Sequence, residues 1–556
     1  MSEPSLGLRP KESASMKTRD GVRLDADVYR PDGSGPYPIL LMRQPYGRAI
    51  ASTVTYAHPS WYARHGYIVV VQDVRGRGSS EGEFDLLATE RADGFDTVEW
   101  AARLPGSTGT VGMYGFSYQG MTQLMAAAAK PPALRAICPA MAAWDSHADM
   151  AYENGAFRLQ SAMGWAIQLA AETARRRGDA AAYQALHAAS RYVPVWEATP
   201  ARPAVLERFA PDSHYHAWLA HPAPDDYWAL RSPSAMQADI DVPALWIGGW
   251  YDSLLDGTIR GFRDMSAARA PQHLVVGPWV HIPWTRRVGA LDFGPEAEST
   301  IDALQVRWFD HWLKGRDSGL LVEPRVRLFE MGGEGWRGLD AWPAAPAHAL
   351  YLAGGGPGGI GEGHNALQPA PPTTAAEDVI VHDPWRPVPP AGGHLGVPAG
   401  PQDRATADAR ADVLTYTTAP LDADLHLAGD VALELWCGAD APSFDVSAVL
   451  SQVRPDGRVL ALVQGHARVD RGRPAAPLRL ALRATCARIP CGHALRLSVA
   501  GACVPAYALN PGSGARADEA RLIDARVVTL AVRSGGGAPS RVLLPVLTRR
   551  SPRATW

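Results

Sequence analysis

The chain has 556 residues, of which 46% are hydrophobic and 20% charged, and a net charge of −3. That length exceeds one ordinary hydrophobic core, so two or three domains are expected. The near-neutral balance argues against a nucleic-acid binder or a membrane-surface protein, and no run of about 18 apolar residues marks a transmembrane helix. No charged-then-apolar leader is visible, and the five cysteines, Cys138, Cys437, Cys486, Cys491 and Cys503, lie mostly in apolar stretches. The expectation is a cytoplasmic protein with reduced core cysteines, bound neither to nucleic acid nor to membrane.

Up to residue 143, strand-like and helix-like segments alternate. Residues 23–29, 37–42 and 67–72 are apolar and β-rich, and residues 90–103 carry Phe95, Val98 and Ala102 on one helical face. Such alternation implies a mainly parallel sheet covered on both sides, with chemistry at the carboxyl ends of its strands. Two loops follow such ends. Residues 44–47 hold Tyr46, which could offer its hydroxyl to an oxyanion or simply pack. Residues 73–80 superficially resemble a phosphate-binding glycine turn but lack the lysine and the full glycine spacing; a tight turn with Asp73 and Arg75 pairing locally is expected.

Residues 108–129 carry the strongest local signal. Residues 111–114 read as a buried strand, and Met121, Leu124, Met125 and Ala128 recur at helical spacing. Between them lies G-F-S-Y-Q-G, with Gly115 and Gly120 framing Ser117. A strand, a sharp turn and a helix make a nucleophile elbow, which lifts a serine hydroxyl above the sheet beside a helix N-terminus. The spacing departs by one residue from the usual G-x-S-x-G, so the string alone does not decide the role.

Residues 144–235 replace strands with helical, tryptophan-bearing segments, among them 155–177, 180–191 and 214–218, as a cap inserted into a parallel-sheet domain would. The sheet pattern returns at residue 241. Residues 242–248 read as a strand followed by a loop carrying Trp250 and Asp252; a helix covers 254–268. Residues 273–277 read as another strand, followed by a loop carrying His281. A serine, an acid and a histidine in that chain order, each just past a strand end, is the order of the α/β-hydrolases. Beyond about residue 345 come turn-rich stretches, glycine-rich 354–361 and proline-rich 369–372. Strict alternation then appears in 431–435, 444–450, 478–482 and 495–499, with Arg479 and Arg483 on the polar side of the third run. Period two with one apolar face means antiparallel sheets packed as a sandwich or jelly roll.

Taken together, VGMYGFSYQG, DVRGRGSSEGEF, GGWYDS, VVGPWVH, RWFDHWLKG, HDPWRPVP and ARADVLTYTTAPL resemble the cocaine esterase and X-Pro dipeptidyl-peptidase group of serine hydrolases (CocE/NonD hydrolases), relatives of the α-amino acid ester hydrolases. The resemblance covers nearly the whole chain and implies an α/β fold of three parts. These are an α/β-hydrolase domain (1–143 and 236–345), a helical cap (144–235) and a C-terminal all-β jelly roll (346–556). It implies Ser117 as nucleophile, Asp252 as acid, His281 as base, and an oxyanion hole from the Tyr46 hydroxyl and the Tyr118 N–H. No cofactor or metal is required by that chemistry, the partner is a small-molecule ester or amide, and the group's habit of assembling through large surfaces leaves room for a homo-oligomer. Trp144, Trp165, Trp250, Leu254 and Leu255 are candidates to line the substrate pocket. In the amino acid ester hydrolases, acids that bind the substrate ammonium closely follow the triad aspartate, and another comes from the start of the cap. Here Leu254 and Leu255 stand at the former positions, with only Asp149 or Glu153 near the latter. The reading is a serine carboxylesterase with an apolar acyl pocket; the alternative is an amide-cleaving acylase or X-Pro dipeptidyl-peptidase on the same triad.

Overall fold

The structure is a computed structural model and describes residues 6–49, 53–267, 269–344, 347–356, 365–470 and 476–547. Most of the glycine-rich stretch 354–361 lies outside them.

The first layer is a ten-stranded sheet. Its strands in chain order are β1 (Glu12–Lys17), β2 (Arg23–Tyr29), β3 (Tyr37–Gln44), β4 (Ile68–Asp73), β5 (Ser107–Phe116), β6 (Leu134–Ala140), β7 (Ala244–Tyr251), β8 (Gln272–Val280), β9 (Val326–Glu330) and β10 (Gly335–Leu339). In space the order is β10-β9-β8-β7-β6-β5-β3-β4-β2-β1. From β4 across to β9 every neighbouring pair is parallel, and only the edges at β1, β2 and β10 run antiparallel. The central strands are buried along both faces, β4 and β7 throughout, because crossover helices cover them. These include α1 (Glu90–Ala102), α2 (Tyr118–Ala128), α6 (Leu255–Met265) and α7 (Ile301–Lys314).

The cap leaves the sheet after β6 and returns at β7. It opens with a π-turn (His147–Ala151) and then, where the sequence suggested helix from 155, forms a two-stranded hairpin of Tyr152–Glu153 with Ala156–Phe157. Helix α3 (Leu159–Arg177) follows and stops at Gly178, a left-handed residue that closes it. Asp179 then caps α4 (Ala180–Arg191) by accepting the Ala182 N–H at 3.0 Å. Helix α5 (His214–Ala220) lies against α3.

The C-terminal part is a jelly roll of eleven mostly antiparallel strands in one hydrogen-bonded network. Its spine is β12 (Leu425–Ala439), which pairs with β15 (Leu478–Ile489), β17 (Val528–Ser534) and β18 (Arg541–Pro545). Strands β11 (Val413–Thr417), β16 (Ala494–Ala500), β13 (Phe444–Val453) and β14 (Val459–Val469) continue it in that spatial order.

Two local expectations are corrected. Asp73 does not pair with Arg75: it binds Arg48 at 2.5 Å and accepts from Gln44 at 3.0 Å, while Arg75 bridges Asp93 and Asp20. The turn directs Arg75 across to the first turn of α1 instead of back onto its own loop. Of the five free cysteines, Cys491 is exposed in a turn and the other four are buried. Among the described residues no helix is long and apolar enough to cross a membrane.

Candidate active site

Four strand ends converge. Tyr46 follows β3, Ser117 follows β5, Asp252 follows β7 and His281 follows β8. Because β3, β5, β6, β7 and β8 are successive parallel neighbours in the sheet, all four lie at the same edge of it, where a parallel sheet leaves its crevice.

Ser117 has φ 61° and ψ −126°, a left-handed backbone that a serine adopts only when its surroundings impose it. Two glycines make the turn sterically feasible. A Cβ on Gly115, itself at φ 141°, would come within 2.5 Å of Gln119 Cβ; one on Gly120 would come within 2.8 Å of Ala142 Cβ. The Ser117 N–H donates to Ala140 O on β6 at 2.9 Å, tying the turn to the next strand. Tyr118 is the first residue of α2, so its N–H has no partner within the helix and points out of the N-terminus. Its ring is fixed by a hydroxyl that donates to Glu90 at 2.9 Å, and Glu90 in turn pairs with Arg43 in full burial.

His281 Nδ1 donates to Asp252 Oδ1 at 2.7 Å. With Nδ1 so engaged, Nε2 is the nitrogen left to accept a proton. Asp252 is wholly buried, and its Oδ2 has no hydrogen-bond partner among the described residues. The Tyr46 hydroxyl accepts from Trp165 Nε1 at 3.2 Å, and burial pushes its pKa up to about 12 in spite of that bond. Tyr46 therefore stays a neutral donor.

Ser117, His281 and Tyr46 line one cavity of about 510 Å³ between the sheet edge and the cap. Its walls are largely apolar: Val54, Phe116, Met150, Trp165, Trp218, Leu254 and Ile282. From α3, Ser161, Trp165 and Gln168 face it together, as i, i+4 and i+7 positions must. Of the pocket residues expected from sequence, Trp165 and Leu254 are in this wall and three are not. Trp144 is buried against Trp246, its Nε1 donating to Asp264 at 2.7 Å. Trp250 points from β7 toward β9 and donates to Phe329 O at 2.8 Å. Leu255 is the first residue of α6 and packs beneath the sheet near Gly248. Each is apolar bulk used for core packing.

The two cap acids are also accounted for. Asp149 reaches the cavity wall, but its carboxylate accepts the N–H groups of Trp144 and Asp145 and pairs with Arg260. Glu153 is held by Arg158 at 3.0 Å, the Tyr507 hydroxyl at 2.8 Å and the His466 N–H at 3.2 Å. Arg158, absent from the residues that the sequence marks, lines the cavity while buried, donating to Ser253 O at 3.1 Å. Nothing in its sequence context, one residue before α3, distinguishes it from an ordinary helix-flanking arginine.

An elbow serine, a carboxylate-oriented imidazole and two donors beside the serine form an arrangement for acyl transfer. Comparison with known proteins agrees. Residues 20–283 match the family model described as X-Pro dipeptidyl-peptidase (S15 family), and residues 319–542 match the X-Pro dipeptidyl-peptidase C-terminal non-catalytic domain. The cocaine esterase of Rhodococcus sp. (strain MB1 Bresler) is 32% identical over 96% of this chain and 97% of its own length. The chain belongs to the cocaine esterase and X-Pro dipeptidyl-peptidase family of serine hydrolases. It is an enzyme of the serine esterase kind. Two solved structures share the fold throughout. An aminopeptidase from a Thaumarchaeota archaeon has a TM-score of 0.80 over 98% of this chain and 97% of that one. An α-amino acid ester hydrolase has a TM-score of 0.78 over 98% of both; each is 24% identical to this chain.

Proposed function

We propose that this serine esterase cleaves carboxylic esters with a neutral, apolar acyl or alcohol group through an acyl-enzyme on Ser117. As Ser117 Oγ bonds to the ester carbonyl carbon, its proton passes to His281 Nε2, and Asp252 stabilises the imidazolium. The carbonyl oxygen gains the negative charge and is met by the Tyr46 hydroxyl and the Tyr118 N–H. Collapse breaks the ester C–O bond, with the Nε2 proton going to the departing alkoxide. Water, deprotonated by His281, then releases the acid and restores Ser117.

The observation that carries this reading is the His281–Asp252 hydrogen bond at 2.7 Å at the rim of the cavity that also holds Ser117 and Tyr46. The apolar wall supports a neutral substrate. An amide-cleaving acylase or dipeptidyl-peptidase would need a free carboxylate for a substrate ammonium. Asp149 and Glu153 are already engaged by arginines, which disfavours it.

The test is hydrolysis of p-nitrophenyl butyrate beside Gly-Pro-p-nitroanilide, with wild type and Ser117→Ala. Ester cleavage that falls by about 10⁴-fold or more in the variant, with the anilide untouched, is the expected result. Ser117-dependent cleavage of the anilide would overturn the neutral-substrate reading. Ester cleavage that survives in Ser117→Ala would overturn the nucleophile.

A further inference from the structure

Strand β15 contains a defect at the domain boundary. Where it pairs with β12, Asp430 lies opposite Ala484 and Ala432 opposite Ala481, so Leu482 and Arg483 together face Val431. That is a β-bulge, and its second residue, Arg483, sits at φ 73°, a left-handed conformation normally left to glycine. The extra residue breaks the inside-outside alternation. Arg479 stays in solvent, whereas Arg483 turns inward and is 5% exposed. Its side chain leaves the jelly roll and enters the hydrolase domain. Nη1 donates to the carbonyl oxygen of Asp252 at 3.1 Å, and Nη2 to that of Ser253 at 3.2 Å. The charge is balanced by Asp256 at 3.4 Å and Glu153 at 3.7 Å.

The Asp252 carboxylate has one hydrogen bond, to His281, and a second oxygen with none among the described residues. A carboxylate so sparsely held depends on its backbone for its place, and Arg483 grips that backbone with both arms of a planar fork. We infer that Arg483, in the domain whose family model is described as non-catalytic, is a positioning residue that holds the acid loop so that Asp252 meets His281 in the reacting orientation. A bulge with a strained non-glycine residue persists where something gains from the re-aimed side chain, and this one brings the fork to the two loop carbonyls, between the Asp256 and Glu153 carboxylates.

This inference rests on the proposed Ser117–His281–Asp252 triad, and the experiment separates the two. In the full-length protein, Arg483→Gln, Arg483→Lys and Arg483→Gly are compared with wild type and Ser117→Ala on p-nitrophenyl butyrate, with active sites counted by a fluorophosphonate. Glycine removes the fork while suiting the left-handed backbone, so it guards against a variant that fails only by strain. The expected result for Gln and Gly is a fall of about 10- to 100-fold in kcat per labelled site, with KM within about threefold. The acid limb of kcat/KM should move to lower pH, because a loosened carboxylate supports the imidazolium less. Lys should restore part of kcat. If kcat per labelled site and the pH profile stay at wild-type values, or if none of the three variants folds with a wild-type-like melt, Arg483 is a structural residue and the inference fails. If Ser117→Ala keeps its activity, the triad itself fails, whatever the Arg483 variants do.

Discussion

Tyr46 is where a single hydroxyl should matter most. Its oxygen is held by the Trp165 indole at 3.2 Å, which fixes the phenol beside Ser117 before substrate arrives. A preorganised donor of this kind acts on charge that exists only in the transition state. Tyr46→Phe is therefore expected to lower kcat by about 10²- to 10³-fold while leaving KM nearly unchanged. An equal rise in KM in place of that fall would mean the hydroxyl binds ground-state substrate. The pH dependence follows from the same burial. The phenol ordinarily loses its proton near pH 10; here it holds it until about 12. Activity should show no loss attributable to Tyr46 as pH rises through 10, and a tyrosine-dependent fall there, absent in Tyr46→Phe, would contradict the assignment.

At the scale of elements, the elbow depends on two neighbouring layers lying close to it. Gly115→Ala would place a Cβ within 2.5 Å of Gln119 Cβ at a φ of 141°, so both sterics and backbone oppose it. The expected cost is about 1–3 kcal/mol with a further loss of kcat as Ser117 shifts. A thermal melt and active-site titration would separate the two, and an unchanged melt with full kcat would show that the turn relaxes. The same element explains what was legible in the sequence. Ser117, Asp252, His281 and Tyr46 each follow a short apolar run, and strand ends in a parallel sheet are brought to one edge by topology alone. The pocket wall has no such rule. Trp144, Trp165 and Trp250 are alike in the sequence, yet of the three only Trp165 faces the cavity, because each side chain's direction follows how its own element packs against distant parts of the chain. Unbroken alternation puts Arg483 on the polar side of β15; one bulge turns it inward. Its signal would be a charged residue whose register is fixed by pairing partners far away in sequence.

For the whole molecule, buried ionic groups sit where the three parts meet, beside an apolar core that runs across the same boundaries. Glu153 from the cap is bound to Arg158 and Arg483, and to Tyr507 and His466 of the jelly roll, with His394 at 3.4 Å; the Tyr251 hydroxyl at the end of β7 donates to Ala461 O. Burial, helped by the nearby Arg483 charge, lowers the His394 pKa from 6.5 to about 4. Burial alone would raise Glu153, but the His394 bond and the charges of Arg158 and Arg483 hold it well below its usual 4.5. Both shifts are depressions. A depressed folded-state pKa gives stability that is present above the unfolded value and lost as pH falls toward the folded one. The His394 contribution is therefore complete above about pH 6.5 and declines toward pH 4, and the Glu153 contribution follows only below about 4.5. The melting temperature should fall as pH drops from 6.5 to 4, and His394→Gln, which cannot take up the proton, should make that slope shallower. His273 and His214 are also lowered by burial, to about 4 and about 3, so some slope remains in the variant. Calorimetry across this range decides the matter. A wild-type slope in His394→Gln would mean that the boundary does not sense acid. Separate transitions for the two halves at neutral pH would mean that the shared ion network does not couple the jelly roll to the hydrolase domain.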